Sequence, residues 1–267
     1  MPQINRTDFL ALISVSGANP NGDPCGDGTP RTDSRSHGII TPVCIKRKLR
    51  DRLEEMGEKI LVSPPRFRGD VIASRVMSLP KGGDPGRRAC AEWYDVRAFG
   101  QVFAFPGVYI SGIKGAVTLQ QAVSLHPVKI NQTGITRCIP NTASNRKSGN
   151  IGFTKTVEYG LYELRGSINA YAAAKNGFST SDAEKLRNAL LSIFVNDCSA
   201  ARPAGSMELK RLFWWEHSGV LGEYSPGRVF ATVRAELLTA EPHRFEDYRI
   251  IHTPLPGLSP DIIEGKY

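Results

Sequence analysis

From Val96 to Val157, 62 consecutive residues contain neither aspartate nor glutamate, although the 267-residue chain holds 26 of them elsewhere. The same window carries Arg97, Lys114, Lys129, Arg137, Arg146, Lys147 and Lys155, while the remaining 27 basic residues nearly balance the 26 acidic ones. Seven of the eight net positive charges therefore fall inside it. A surface shaped only by solubility intersperses both signs. A stretch stripped of carboxylates suits contact with a polyanion, because each carboxylate near a phosphate raises the electrostatic energy.

Other absences narrow the field. Five cysteines (Cys25, Cys44, Cys90, Cys138 and Cys198) are scattered, odd in number and without a C-x-x-C pair. That argues against a disulfide framework and a zinc site and for a reducing compartment. No apolar run approaches the roughly 18 residues that span a bilayer, and MPQINRTDFL is too polar for a signal peptide. The expectation is a soluble, cytoplasmic protein with no membrane partner. His37, His126, His217, His243 and His252 form no H-x-x-x-H, and neither G-x-S-x-G nor G-x-x-x-x-G-K-[ST] occurs. Serine hydrolysis and nucleotide hydrolysis are not expected. The chain length fits one domain with insertions, and Gly 26 with Pro 18 points to many loops.

The most informative stretch runs from Asn19 to Arg52. It leaves an apolar run (Phe9 to Val15), crosses a loop rich in Gly, Pro, Asn and Asp, and enters a basic segment. Thr41 is placed to N-cap a helix, and Pro42 suits its first position, where a missing N–H loses nothing. Ile45, Leu49, Leu53 and Met56 repeat at helical spacing, and Gly57 ends the pattern. Lys46, Arg47, Lys48, Arg50 and Arg52 occupy the other faces. Strand, backbone-exposing loop and cationic first turn together make a place for phosphates. A simply solvated helix fits as well, because Arg47 with Asp51 and Arg50 with Glu54 are ordinary i,i+4 pairs.

Residues 8–16 read as a central strand and 42–57 as a helix. Residues 58–92, punctuated by Pro64-Pro65, Pro80-Lys81-Gly82-Gly83 and Pro85-Gly86-Arg87-Arg88, read as a loop-rich insertion outside the core. Its arginines fit nucleic-acid contact and solvation equally. A short helix near Tyr94–Phe99 precedes a strand through Val108–Ile110. Gly112-Ile113-Lys114-Gly115 is a turn, and Ala116–Leu125 reads as a strand by its alternation, with a helix as the alternative. Residues 131–157 pattern as a long polar hairpin, with arms at Gly134–Ile139 and Asn150–Val157. Tyr159–Ala173 reads as a strand. Ser181 and Glu184 suggest a capping box for a helix over Ser179–Val195. Leu209–His217 and Arg228–Leu238 read as strands, and 240–267 as a proline-rich tail, packed in extended form or mobile. The sum is an α+β fold in one domain, 1–267, with the βαββαβ order of a ferredoxin-like or RRM palm. No RNP1 pattern occurs, so RNA contact would be led by the backbone.

Several local motifs follow one another in a single register. They are the N-P-N-G-D-P loop with a later P-R and H-G, V-C-I-K-R-K-L-R, W-Y-D-V-R-A-F-G at 93–100 and I-K-G-A-V-T-L-Q at 113–120. E-Y-G-L-Y at 158–162, A-K-N-G-F-S at 174–179 and D-C-S-A-A-R at 197–202 complete the series. Over roughly residues 8–238 it resembles the repeated backbone subunit of type I-C CRISPR surveillance (Cascade) complexes. The resemblance implies an RRM-like palm, a finger-like insertion at 58–92 and a thumb hairpin at 131–157. It also implies a non-catalytic subunit, without cofactor, that oligomerises head-to-tail along CRISPR guide RNA and presents bases to target DNA. Other Cascade subunits would be partners, and cleavage would fall to a recruited helicase-nuclease. Lys46 matches the lysine that such subunits use near the guide backbone.

The candidate RNA contacts are Asn19, Asn21 and Arg31 in the first loop and Lys46 and Arg50 on the basic helix. Lys114 joins them in its glycine-flanked turn, and Arg137, Arg146, Lys147, Phe153 and Lys155 on the hairpin. Phe153 suits a wedge against a base and burial against a neighbouring subunit equally. Trp93, Trp214 and Trp215 read as core or subunit contacts rather than base platforms. A different class of function is a metal-dependent ribonuclease using Asp23, Asp27 or Asp33 with His37. Their spacing matches no Ca²⁺ loop, and aspartate is a common turn former. A stand-alone RRM-like RNA-binding module is a third reading.

Overall fold

The first apolar run becomes β1 (Thr7–Ala18), the strand on which two separate cores are built. Phe9, Ala11, Ile13 and Val15 enter one core, and Leu10 and Leu12 enter the other. A strand covered on both faces reads as a continuous apolar run rather than an alternation. The computed structural model describes residues 4–80, 82–105, 110, 112–136 and 151–265.

After β1 come β2 (His37–Ile40), α1 (Pro42–Glu55), α2 (Ile72–Met77), α3 (Pro85–Glu92) and α4 (Tyr94–Phe99). Four short strands follow, β3 (Gly100–Gln101), β4 (Ile113–Lys114), β5 (Val117–Leu119) and β6 (Ala122–Pro127). β7 (Ile130–Thr136) and β8 (Ile151–Ile168) are the hairpin strands, and α5 (Ala170–Asn176) and α6 (Thr180–Leu191) lead to β9 (Met207–Glu216). The C-terminal part holds α7 (Pro226–Phe230), β10 (Val233–Leu237), β11 (Tyr248–His252) and β12 (Asp261–Glu264). The main sheet is antiparallel along β12-β9-β1-β8-β6-β2, and β5 and β7 also pair with β8.

On one face of the sheet α1 presents Ile45, Leu49 and Leu53, and α6 presents Leu186 and Leu190, to Phe9, Tyr162 and Trp214. Phe9 stacks on Trp214 with ring centres 5.3 Å apart. Each fully buried side chain of this kind contributes about 1.5–3 kcal/mol. On the opposite face α7, β10 and β11 cover Leu12, Leu161 and Trp215. Leu61, Val76, Ala89, Cys90, Trp93 and Phe103 form a third cluster within the insertion and its flanks. The insertion thus has a small core of its own.

Several boundaries differ from the sequence reading. Tyr159–Ala173 is not one strand, because β8 stops at Ile168 and the Asn169 side chain accepts the Ala172 N–H to start α5. The capping box is Ser179 with Asp182, not Ser181 with Glu184, because Asp182 is also held by Arg97. Arg228–Leu238 begins as helix, since Pro226 takes the first helical position of α7. Past Ala240 the chain packs: Tyr248 and Leu258 join the second core, and β12 pairs with β9. The two hairpin arms pair from Ile130 with Val157 to Thr136 with Ile151. The hairpin tip, and most of the strand expected through Val108–Ile110, lie outside the described residues.

Candidate nucleic-acid interface

The first loop is shaped by its own polar side chains. The Asn19 amide donates to the Gly28 carbonyl at 2.7 Å, and the Asn19 N–H donates to the Ala201 carbonyl. The Asn21 side-chain oxygen accepts both the N–H and the hydroxyl of Thr41, each at 2.9 Å. Thr41 in turn accepts the Cys44 N–H and caps α1. Asn21 therefore fixes the start of the basic helix, and this role occupies its oxygen. Arg31 pairs with Asp23 at 3.2 Å.

The three loop aspartates do not converge. Asp23 accepts the Cys25 N–H, and Asp27, at φ 52°, meets Lys155. Asp33 accepts the His37 and Arg35 N–H groups; the bond from His37 contributes most to holding its pKa below the usual carboxylate value. Among the described residues no group of three or more His, Cys, Asp or Glu is placed to hold a metal ion.

Four of the five cations on α1 have a carboxylate partner. Arg47 meets Asp51, Lys48 meets Asp197, Arg50 meets Asp95 and Arg52 meets Glu55. Arg50 does not use Glu54, the expected i,i+4 partner, because Glu54 pairs with Arg66. Instead Arg50 donates at 2.8 Å to Asp95, which is 1% exposed and also accepts the N–H groups of Leu61 and Val62. This clamp ties the helix to the root of the insertion. Lys48, placed on an outer face by the sequence pattern, is buried. Met56, placed in the core stripe, is the exposed C-cap of α1.

Lys46 is the exception, with no carboxylate within 4.0 Å among the described residues. Its ammonium lies 5.6 Å from the centre of the Phe99 ring, and the Arg50 guanidinium lies 5.2 Å from the same ring. Burial, and then the charge of Arg50, lowers the Lys46 pKa. Both effects disfavour the cation, and an incoming phosphate would relieve the second. Phe99 was not among the sequence candidates; its place in the W-Y-D-V-R-A-F-G motif was the available signal. The next residue, Gly100, pairs with Lys114 across β3 and β4, so Lys114, which also has no carboxylate within 4.0 Å among the described residues, sits on the strand paired with the residue after Phe99.

On the hairpin, Phe153 is 58% exposed and faces Gly134 across the ladder. The Lys155 ammonium donates to Asp27 at 3.2 Å and to the Thr29 hydroxyl at 2.9 Å, which fastens this arm to the first loop. Arg137, Arg146 and Lys147 lie outside the described residues. The contacts therefore run from the hairpin arm through the first loop to the cap of α1, and from α1 through Phe99 to Lys114.

A profile of the family described as CRISPR-associated protein Cas7 matches residues 5–253. The chain belongs to this family. A CRISPR-associated protein Cas7 of Haloferax volcanii is 27% identical over 214 residues, covering 70% of this chain and 63% of that protein. The chain thus spans somewhat less than two thirds of the length of this curated relative. A chain of a solved CRISPR RNA-guided surveillance complex, in a pre-nicking state, has a TM-score of 0.54 at 14% identity. The match covers 79% of this chain and 78% of that one, and the likeness is one of fold: a large antiparallel sheet with several helices. Among the described residues no helix is long and apolar enough to cross a membrane.

Proposed function

We propose that the chain is a guide-RNA-binding backbone subunit of a type I-C CRISPR surveillance complex, polymerising head-to-tail along the RNA in the cytoplasm. Membership of the Cas7 family supports the class. The observation that carries the RNA contact is Lys46, the one α1 cation without a carboxylate partner among the described residues, set beside Phe99, whose next residue pairs with Lys114. The protein grips phosphates, and base pairing with target DNA reads the sequence. Other Cascade subunits and a recruited helicase-nuclease complete the assembly, and this chain needs neither cofactor nor catalytic residue.

The βαββαβ reading of the palm is supported by the strand order β9-β1-β8-β6, with α1 and α6 on one face. In an ordinary RRM the opposite face stacks bases. Here α7, β10 and β11 cover it, so the RNA path belongs to the loop and helix surface. Residues 58–92 act as the finger and 131–157 as the thumb. The ribonuclease alternative is weakened because Asp23 and Asp33 each hold a separate turn and Asp27 is paired with Lys155.

Electron microscopy of the purified protein with guide RNA tests this reading. RNA-filled filaments are expected, with RNA occupancy reduced by Lys46→Ala. RNA-free monomers would overturn it, and Mg²⁺-dependent cutting abolished by Asp27→Ala would establish the ribonuclease instead.

A further inference from the structure

Between α3 of the insertion and α5 lies a cleft of about 660 Å³, within the usual range for pockets that take small ligands. Arg87, Lys114 and Lys175 line it, and among the described residues no carboxylate lies within 4.0 Å of either lysine. Arg87 reaches only Asp84, at 3.9 Å, and that carboxylate already accepts the Gly86 N–H as the cap of α3. Three cations thus converge where the single lining carboxylate is held by the backbone.

The wall facing the insertion carries Tyr171, which is 64% exposed. It stands on an alanine-rich helix whose Ala170, Ala172 and Ala173 are buried, so the ring contributes nothing to the core beneath it. The backbone that carries Lys114 is held firmly. A Cβ on Gly115 would collide with the backbone of Phe99 and Gly100, and Gly100 has φ 78°. The Asn176 amide donates to the Lys114 carbonyl at 2.5 Å, tying this turn to the end of α5. A backbone-fixed cationic turn that shares a cleft with an exposed aromatic ring offers a charge and a π-face to one ligand.

We propose that this cleft binds one nucleotide unit of single-stranded RNA, with a base stacked on Tyr171 and the flanking phosphates on Lys114, Lys175 and Arg87. The proposal rests on the RNA-binding reading above and deepens it by adding a contact separate from Lys46, to which the insertion contributes through Arg87. An acidic peptide would match the cations but has no use for the ring. A base uses both, and stacking tolerates any base because each has a π-face.

The test uses the full chain, an oligouridine carrying photoreactive thiouridine, and the variants Tyr171→Ala, Tyr171→Trp, Lys175→Glu and Lys46→Ala. Tyr171 and Lys175 are exposed, and unchanged melting profiles verify folding. Tyr171→Ala is expected to weaken binding about tenfold or more, and Tyr171→Trp to retain it. Lys175→Glu is expected to shallow the salt dependence, and photoadducts to map to α5. Unchanged affinity in Tyr171→Ala with weakened affinity in Lys46→Ala overturns the cleft proposal and leaves the RNA-binding reading standing. Wild-type protein that binds no RNA overturns both. Competition by polyglutamate as strong as that by unlabelled RNA overturns the nucleotide assignment in favour of an acidic peptide.

Discussion

The basic helix α1 and the acid-free window 96–157 look alike as concentrations of charge, and they neutralise that charge with different mixes of local and distant partners. On α1, Arg47 and Arg52 find carboxylates within one turn, at Asp51 and Glu55, while Lys48 and Arg50 reach the distant Asp197 and Asp95. In the window, three of the four described cations reach acids that are distant in sequence. Arg97 meets Asp182 and Glu58, Lys129 meets Glu241, and Lys155 meets Asp27. Each region leaves one described cation without a carboxylate: Lys46 on α1 and Lys114 in the window. A helix advertises its pairs through i,i+4 spacing, whereas a loop or strand does not. Acid-free in sequence is therefore not acid-free in space, and the cations left over matter more than the total.

The largest effect should come from breaking a buried pair. Asp95→Ala strands Arg50 and removes the acceptor for two backbone N–H groups. A loss of about 3–5 kcal/mol in unfolding free energy is expected from urea titration. A loss within about 1 kcal/mol, the range of exposed pairs, would show that the clamp is not needed.

Next in size is the contrast between paired and unpaired cations. Lys46→Ala with Lys114→Ala should reduce the salt dependence of RNA binding by about 0.7 per phosphate contact, or about 1.4 in all, without loss of stability. Arg47→Ala should leave that slope unchanged. Equal slopes for the two variants, measured by fluorescence anisotropy, would erase the distinction.

A third region, where pairing fastens the C-terminal cover to β1, predicts acid sensitivity. Burial opposes charge on Asp8, but hydrogen bonds from His217, Arg6 and Ser167 outweigh it and hold its pKa below the ordinary value. The Ser218 hydroxyl, helped by its N–H and by His217, pulls Glu223 to about 2 against a modest burial effect. Depressed carboxylates stabilise the fold fully above their unfolded values, and that contribution fades as protons bind. It should therefore be lost as pH falls from about 4.5 toward about 2, with Trp215 becoming exposed under the loosened cover. Glu223→Gln should flatten the part of the fluorescence titration that belongs to Glu223; an unaltered curve would remove this group from the account.

The smallest effect belongs to Lys129→Ala. Its pair with Glu241 is exposed on both sides and screened by solvent, so thermal melts of the variant and the wild type are expected to superimpose.

Where structure follows from local chemistry, the sequence was readable. β1, the Thr41 cap, the Pro42 start, the Tyr94–Phe99 helix and the second hairpin arm all carry their signals within a few residues, whereas the first arm lies at Ile130–Thr136, ahead of the expected Gly134–Ile139, whose last three residues are outside the described ones. Where a distant residue decides, it was not. The stretch S-T-S-D-A-E offers two overlapping capping boxes, and Arg97, 85 residues away, selects the one containing Asp182. Arg50 abandons its helical neighbour because Asp95 is buried and already organised by two amides. The proline-rich C-terminal stretch carries weak local preferences and is ordered by the sheet face it covers. For the candidate site, Lys46 and Lys114 can be proposed from sequence, but their lack of a carboxylate partner cannot, since that depends on where the carboxylates end up.

β8 has a mechanical consequence. Val157 pairs with Ala18 of β1 and with Ile130 of β7, so the strand passes from the core into the arm without a break in its ladder. Eighteen residues at about 3.3 Å each make a beam of about 60 Å with no joint at the boundary. The arm's reach is then a ruled length, set by the rise of an extended chain. Adding a residue pair to each arm would lengthen it by about 7 Å with the same side chains facing the same way, whereas adding a single residue would turn that face over. The beam can thus be resized only in double steps.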